Sequence, residues 1–199
     1  MKQVYLDQNV SVQDVICLDV KQAHHIFDVL RTTSKEKIRI VTKNSGVFFG
    51  HVENKPNLVI DSMVDVFEEN QSITLCCALI KQDKFEWMLQ KACELGVHKI
   101  VPFVSKNTVV KLDEKKAEKK LIRWNEILLA ATKQCNRNTL VELEPVIALK
   151  DLSNYKSECN LVAYEKENDP SKHMAHYLKD NPQSITVCIG PCLLYTSDA

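Results

Sequence analysis

The chain has 199 residues, 45% hydrophobic and 26% charged, the balance of a globular protein of one domain or two small ones and not of a disordered or fibrous chain. Basic and acidic side chains each total 26, yet residues 1–70 carry a net −2, residues 71–137 a net +6 and residues 138–199 a net −4; the basic middle suits a polyanionic partner and equally suits solvated Lys-rich helix faces. No apolar run approaches the ~18–20 residues that cross a bilayer, and the start Met1-Lys2-Gln3-Val4-Tyr5-Leu6-Asp7 lacks a signal-peptide core, so a cytoplasmic chain with no membrane partner is expected.

Residues 1–68 read as short strands with one helix. Val4–Leu6, Val15–Leu18, Ile38–Val41, Val47–Val52 and Leu58–Ile60 are β-rich runs broken by Asn, Gly, Pro and Ser, and Asn44-Ser45-Gly46 reads as a hairpin turn. Lys21–Arg31 is the helix, with His24, Phe27 and Leu30 or Arg31 on one face. The expectation is a small barrel with one inserted helix, ending at the polar stretch Glu68–Ser72.

From residue 73 strands and helices alternate. Ile73–Ile80 is a continuous apolar run, the pattern of a strand buried on both faces of a parallel sheet. A helix follows, with Asp83 and Glu86 spaced as a capping box, Phe85, Met88, Leu89 and Ala92 as its stripe, and Gly96 where a C-terminal cap belongs. Lys99–Phe103 is the next strand. Asp113 is expected to cap a long helix whose stripe is Ala117, Leu121, Trp124, Leu128, Ala131 and Cys135. Asn160–Tyr164 is a third strand, Asp169-Pro170 opens a third helix, and Ile185–Ile189 is a fourth strand. The alternation predicts a parallel α/β sheet, with the third and fourth strands near each other.

The chemistry is narrowed by what is missing. Four glycines, Gly46, Gly50, Gly96 and Gly190, form no dinucleotide or P-loop motif and no nucleophile elbow. The eight cysteines contain no C-x-x-C pair and mostly sit in apolar runs, so no metal site is expected. Ligands of open α/β sheets bind beyond the carboxyl ends of strands, which singles out Tyr164-Glu165 and Ile189-Gly190-Pro191. A Gly-Pro turn lets a ligand approach the backbone, although an ordinary strand-ending turn has the same pattern. His24 and His25 point about 100° apart on a helix, so one packed and one exposed histidine is expected. Lys81, Lys84, Lys91 and Arg137 lie near element ends in the basic segment, and Gln134 with Arg137 closes the long helix where both can face a cleft. Trp87 and Trp124 read as core before base-stacking platforms.

The stretch Lys81-Gln82-Asp83-Lys84-Phe85-Glu86-Trp87-Met88-Leu89-Gln90-Lys91-Ala92-Cys93-Glu94-Leu95-Gly96-Val97 resembles the signature of the ribosomal RNA small-subunit methyltransferase E family, of the SPOUT (trefoil-knot) superfamily. His24 with Val29-Leu30-Arg31, then Arg123-Trp124, Ala131 and Gln134-Cys135-Asn136-Arg137, then Ile189-Gly190-Pro191 extend the likeness over residues 4–191. The resemblance implies a PUA-like RNA-binding barrel over 1–68 and a SPOUT α/β domain over 73–191. It implies S-adenosylmethionine as methyl donor and N3 of a uridine in 16S rRNA of the small ribosomal subunit as acceptor. A homodimer is implied, because SPOUT sites form at a subunit interface.

On this resemblance Tyr164, Glu165, Ile189, Gly190 and Pro191 would bind the cofactor. His24, Arg31, Lys81, Lys84, Lys91, Gln134 and Arg137 would bind RNA. The general base is unassigned: Glu94 and Arg137 are catalytic candidates, and Glu165 ends a strand near the expected cleft. Three positions depart from the family pattern. Lys35-Glu36 stands where the family has Gly-Asp, Asn107 where it often has Arg, and Cys192–Ala199 where Glu-Gly-Gly and the knot-threading segment are expected. Residues 192–199 read as a foreign tail that leaves the knot incomplete. These 199 residues are therefore expected to bind the cofactor poorly and to be inactive, and a non-catalytic RNA-binding module is the alternative.

Overall fold

A computed structural model describes residues 2–43, 46–65, 71–105, 114–164 and 167–190. The chain divides into two compact units, one of residues 1–68 together with Lys133–Thr139, the other of Glu69–Thr132 and Leu140–Ala199. The re-entry of 133–139 into the first unit is not foreseen by a division at residues 68–73.

The first unit is a mixed five-stranded sheet of β1 (Gln3–Leu6), β2 (Val15–Cys17), β3 (Ile38–Thr42), β4 (Val47–Asn54) and β5 (Asn57–Val64). Their order is β1-β3-β4-β5-β2, with β1 and β3 parallel and the other pairs antiparallel. With β1 and β2 as edges the sheet is a half-barrel, more open than the small barrel expected from sequence. Alternating residues of these strands, among them Val4, Leu6, Ile38, Ile40, Leu58 and Ile60, make the core. Gly50 is required where β4 shifts register against β5, because a Cβ there would stand 2.3 Å from the Val59 carbonyl oxygen. Of the expected hairpin turn, Asn44 and Ser45 lie outside the described residues.

The inserted helix differs in form from the periodic reading. α1 (Val20–Ala23) opens on an Asp19–Gln22 capping box, in which Asp19 Oδ1 accepts from the Gln22 amide at 2.7 Å. A π-helix follows over His24–Val29 and ends at Arg31, whose φ is 48°. Ala23 and Ile26 enter the core, Phe27 and Leu30 are half-buried and packed against it, and His24 and Arg31 face solvent. Of the expected face, Phe27 and Leu30 therefore lie against the core and His24 does not.

The second unit is a parallel sheet. β6 (Ser72–Ala78), β7 (Lys99–Val104), β8 (Glu142–Leu143), β10 (Cys159–Ala163) and β11 (Ser184–Ile189) lie in the order β10-β11-β6-β7-β8, and β9 (Ile147–Ala148) also pairs with β7. All of these pairs are parallel. α2 (Gln82–Glu94) and α3 (Glu114–Gln134) are the long helices. They meet where Phe85 packs on Trp124, ring centroids 4.6 Å apart and planes inclined by 45°, beside buried Leu89, Ala92, Leu128 and Ala131.

Two local readings need correction here. Asp83 and Glu86 form no capping box. Lys81 is the N-cap and makes no side-chain cap bond, while Glu86 accepts from Arg123 Nε at 2.7 Å and Nη2 at 2.8 Å. The arginine captures the carboxylate that the box would have used. The expected third helix is only a 3₁₀ turn, Pro170–Lys172, capped by Asp169, followed by the four-residue α4 (Met174–Tyr177). Gly96, by contrast, adopts the left-handed φ of 95° that ends α2 as expected. Asp113 lies outside the described residues.

Trp124 is 2% exposed and Trp87 is 63% exposed, on the face of α2 opposite Phe85, so only Trp124 matches the core reading. Acrylamide quenching of tryptophan emission should accordingly show one accessible and one shielded component. Trp87→Phe should leave only the shielded one. Phe85→Ala should lower unfolding free energy in urea by about 3–5 kcal/mol, the cost of truncating a buried aromatic.

Candidate functional site

The parallel register brings the two carboxyl-end segments together. Ala163 pairs with Ile189, Ile189 with Cys77, and Cys77 with Pro102, one row across β10, β11, β6 and β7. Tyr164 and Gly190 leave the sheet immediately beyond that row, side by side, and Leu79–Lys81 lead from the same edge into α2. The ring of Tyr164 is 58% exposed and Val162 is 74% exposed. A Cβ on Gly190 would meet nothing within 4 Å, so open space adjoins its backbone. Glu165 and Pro191 lie outside the described residues.

Beside β10 lies a cavity of about 610 Å³ whose lining includes Leu161, Tyr164, Val187, Met174, Glu167 and Asp169. Bonds from the Ser171 hydroxyl and amide to Asp169 Oδ1, 2.7 and 2.9 Å, hold that carboxyl below its ordinary pKa and keep it ionised. An aromatic and apolar wall with carboxylates at its rim suits a ligand that joins a flat ring to a positive centre. Glu167 is not singled out by sequence and Asp169 is read there only as the start of a helix, because both follow the strand end in a polar stretch without periodicity.

Charged candidates elsewhere on this unit separate by position. Lys81 and Lys84 are exposed at the start of α2, and Lys91 is half-buried two turns on. Glu94 closes α2, which runs back from the carboxyl edge for 13 residues, about 20 Å at the helical rise. Its carboxylate accepts from Lys91 Nζ at 2.7 Å and Gln90 Nε2 at 2.9 Å, and these bonds hold it below the usual carboxylate range. Glu94 therefore does not join Tyr164 and Gly190.

On the first unit His24 and Arg31 are exposed, and His24 Nδ1 lies 2.9 Å from Asp28 Oδ2. His25 is half-buried, and burial, then the nearby Lys133 and His24, lower its pKa and favour the neutral ring. Gln134 and Asn136 are exposed. Arg137 is 9% exposed, and its Nη2 donates to Thr139 Oγ1 at 3.3 Å. Its carbonyl accepts from Tyr5 Oη at 2.7 Å, Gln3 Nε2 at 3.3 Å and Arg39 Nη1 at 3.5 Å. Sequence reasoning passed over Arg39 because it stands inside the apolar strand run Ile38–Val41.

The cysteines behave as apolar residues where they are buried. Burial pushes the Cys76 thiol up to about 11 and raises Cys77 and Cys188 as well, which removes the thiolate needed for nucleophilic or metal chemistry. Among the described residues no group of three His, Cys, Asp or Glu is placed to hold a metal ion, and no helix is long and apolar enough to cross a membrane.

Residues 67–191 match the model of a family described as RNA methyltransferase domain. The ribosomal RNA small subunit methyltransferase E of Bacillus subtilis is 28% identical over 168 residues, 81% of this chain and 66% of that protein. Its namesake from Mesomycoplasma hyopneumoniae is 33% identical over 135 residues, 67% of this chain and 57% of the relative. The chain thus spans 57% to 66% of the length of these relatives. Among solved structures, a ribosomal RNA small subunit methyltransferase E from Neisseria gonorrhoeae bound to S-adenosyl methionine superposes with a TM-score of 0.82 at 27% identity, covering 96% of this chain and 80% of that one.

The thiol assignments make a direct prediction. At pH 8 Cys76 would be only about 0.1% thiolate given its raised pKa. Ellman's reagent should react first with exposed Cys17 and reach Cys76 and Cys77 only on unfolding. Cys17→Ser should remove the fast phase.

Proposed function

The chain belongs to the RNA methyltransferase family, among the ribosomal RNA small subunit methyltransferase E proteins, and from that premise we propose that it serves transfer of a methyl group from S-adenosylmethionine to N3 of a uridine in 16S rRNA. One observation carries the reading: parallel pairing of β10 with β11 sets Tyr164 beside Gly190 at the carboxyl edge of the sheet, where α/β sheets of this kind take ligands. When bound, the sulfonium supplies an electrophilic methyl group without a metal.

Each residue then has a task. Tyr164 offers a ring face to the adenine, and the Gly190 backbone approaches the ligand where a side chain would intrude. Ile189, ending β11, backs that turn. Asp169 and Glu167 face the positive centre. Glu165 and Pro191 belong to the same two segments by their place in the chain. The remaining work is to orient the uridine, exclude water and stabilise the ring as N3 loses its proton. Glu94 has a structural role on two counts, its ion pair with Lys91 and its place at the far end of α2. Arg137, buried and hydrogen-bonded, is assigned to holding RNA-facing backbone in place and not to the proton transfer.

The rRNA itself is taken by His24, Arg31, Lys81, Lys84, Lys91 and Gln134, with Arg137 as the root of the last turn. Exposure of all but Lys91 and Arg137 supports this, as does the net +6 of residues 71–137. The exposed apolar edge of Val162, Tyr164 and Ile189 supports a homodimer built on the second unit, which sedimentation should detect as a concentration-dependent mass. Its setting is the cytoplasm, with the small ribosomal subunit as partner.

Calorimetric titration tests the cofactor site. Residues 1–199, which span 57% to 66% of the length of these relatives, should bind S-adenosylmethionine more weakly than micromolar, since each ~1.4 kcal/mol of contact not made is tenfold in affinity. Gly190→Val should weaken that binding at least about tenfold further without lowering the melting temperature, because the added carbons enter open space in the free protein. Unchanged affinity in Gly190→Val would move the site elsewhere. Affinity for a labelled small-subunit rRNA fragment should fall steeply with salt, and replacing Lys81 and Lys84 together by Ala should reduce the slope of log K against log salt by about two.

A further inference from the structure

Arg39 is 8% exposed, and among the described residues no carboxylate pairs with it. Its fork bridges β1 and one turn: Nη1 donates to Gln3 Oε1 and, at 3.5 Å, to the Arg137 carbonyl, and Nη2 donates to Asn138 Oδ1. Gln3 Nε2 in turn donates to Tyr5 Oη at 2.6 Å, and both side chains also donate to the Arg137 carbonyl. One carbonyl oxygen thus gathers three donors. The residue before it, Asn136, holds a left-handed φ of 55°, a conformation a non-glycine residue keeps where its surroundings fix it. A guanidinium buried among neutral acceptors is a poor way to gain stability, since an apolar side chain of similar volume often does as well. It is a good way to fix geometry, since a planar fork can bond two separate acceptors at set angles and an ammonium cannot.

We propose that Arg39 is a positioning residue: its buried fork, braced by Gln3 and Tyr5, clamps the Arg137 carbonyl and the Asn138 side chain, and so fixes the Gln134–Asn138 turn whose exposed side chains, Gln134 and Asn136, meet rRNA. This rests on the reading that Gln134 touches RNA. Arg39 itself makes no contact with the nucleic acid. It acts through the turn.

The test is the affinity of the 199-residue chain for a fluorescein-labelled small-subunit rRNA fragment, with folding checked by circular dichroism and melting. Arg39→Lys keeps the charge and loses the fork, and Arg39→Met loses both. Each should weaken binding about tenfold, the scale of one lost RNA contact. Gln134→Ala should do the same, and the double variant Arg39→Lys/Gln134→Ala should be no weaker than the worse single variant within about threefold, since the two act as a unit. Amide exchange over residues 134–138 should quicken in Arg39→Lys. Asn138→Ala, a milder change, should give a smaller loss that also vanishes in the Gln134→Ala background, and it serves if the Arg39 variants do not fold. Full affinity in Arg39→Lys would show that charge alone suffices and would overturn the proposal. So would effects of Arg39 and Gln134 that multiply. A Gln134→Ala chain that binds as tightly as the parent would instead remove the RNA reading of the turn, and the proposal with it.

Discussion

The register of β11 between β10 and β6 is the constraint on which the rest of the second unit depends. Parallel pairing sends every strand out at the same edge, and the row Ala163–Ile189–Cys77–Pro102 decides which residues emerge as neighbours. A slip of one residue along β11 would exchange the faces of Val187, Cys188 and Ile189 and carry Gly190 away from Tyr164. The sheet thereby makes neighbours of two segments 26 residues apart in sequence. Phe85 on Trp124 and the Glu86–Arg123 pair hold the helix that leaves the same edge, through one apolar and one ionic contact. The apolar contact is the larger of the two, since an ion pair with an exposed partner is worth about 0.2–1 kcal/mol.

Electrostatics divides the charged residues into two kinds. Lys91 and Glu94 pair along one helix, and Lys55 pairs with Asp28; such partly exposed pairs tune surface charge at little energetic gain. Arg39 belongs to the other kind, a buried cation answered, among the described residues, by dipoles. Burial lowers its pKa from the ordinary value yet leaves an arginine protonated, so its charge is permanent and its surroundings must accommodate it. Spending neutral acceptors in this way is sensible only where orientation matters more than stability.

Much of the fold was legible because the informative residues act locally. The apolar run from Ile73, the alternation of strands and helices, and Gly96 at its helix end all report on their own neighbourhood, and the parallel order of the last two strands follows from them. The misreadings arise where a distant group intervenes. Glu86 is spaced for a capping box but is taken by Arg123, 37 residues on. β8 and β9 have two residues each, too few for any period, and exist because β7 offers them an edge. The helix after Val20 carries Phe27 and Leu30 against the core as their spacing suggests, but part of it is a π turn and its fully buried position is Ile26, which is not among the residues of the expected face. That Tyr164 and Gly190 emerge as neighbours was legible from the strand ends. Arg39 was not, since a charged residue in an apolar strand declares its burial only through partners 36 and 99 positions away.

The membership of Lys133–Thr139 in the first unit also governs how the chain acquires its shape during synthesis. Gln3, Tyr5 and Arg39 find their partners at Arg137 and Asn138 only after some hundred further residues have been made. The half-barrel can collapse on its own strands early, but its polar side stays unfinished until the intervening sequence has left the ribosome. Closing so long a loop adds only a modest entropic cost, about 0.6 kcal/mol per doubling of its length, yet it raises contact order and slows the last step. Completion of the amino-terminal unit is therefore timed by the synthesis of a segment that lies two-thirds of the way along the chain.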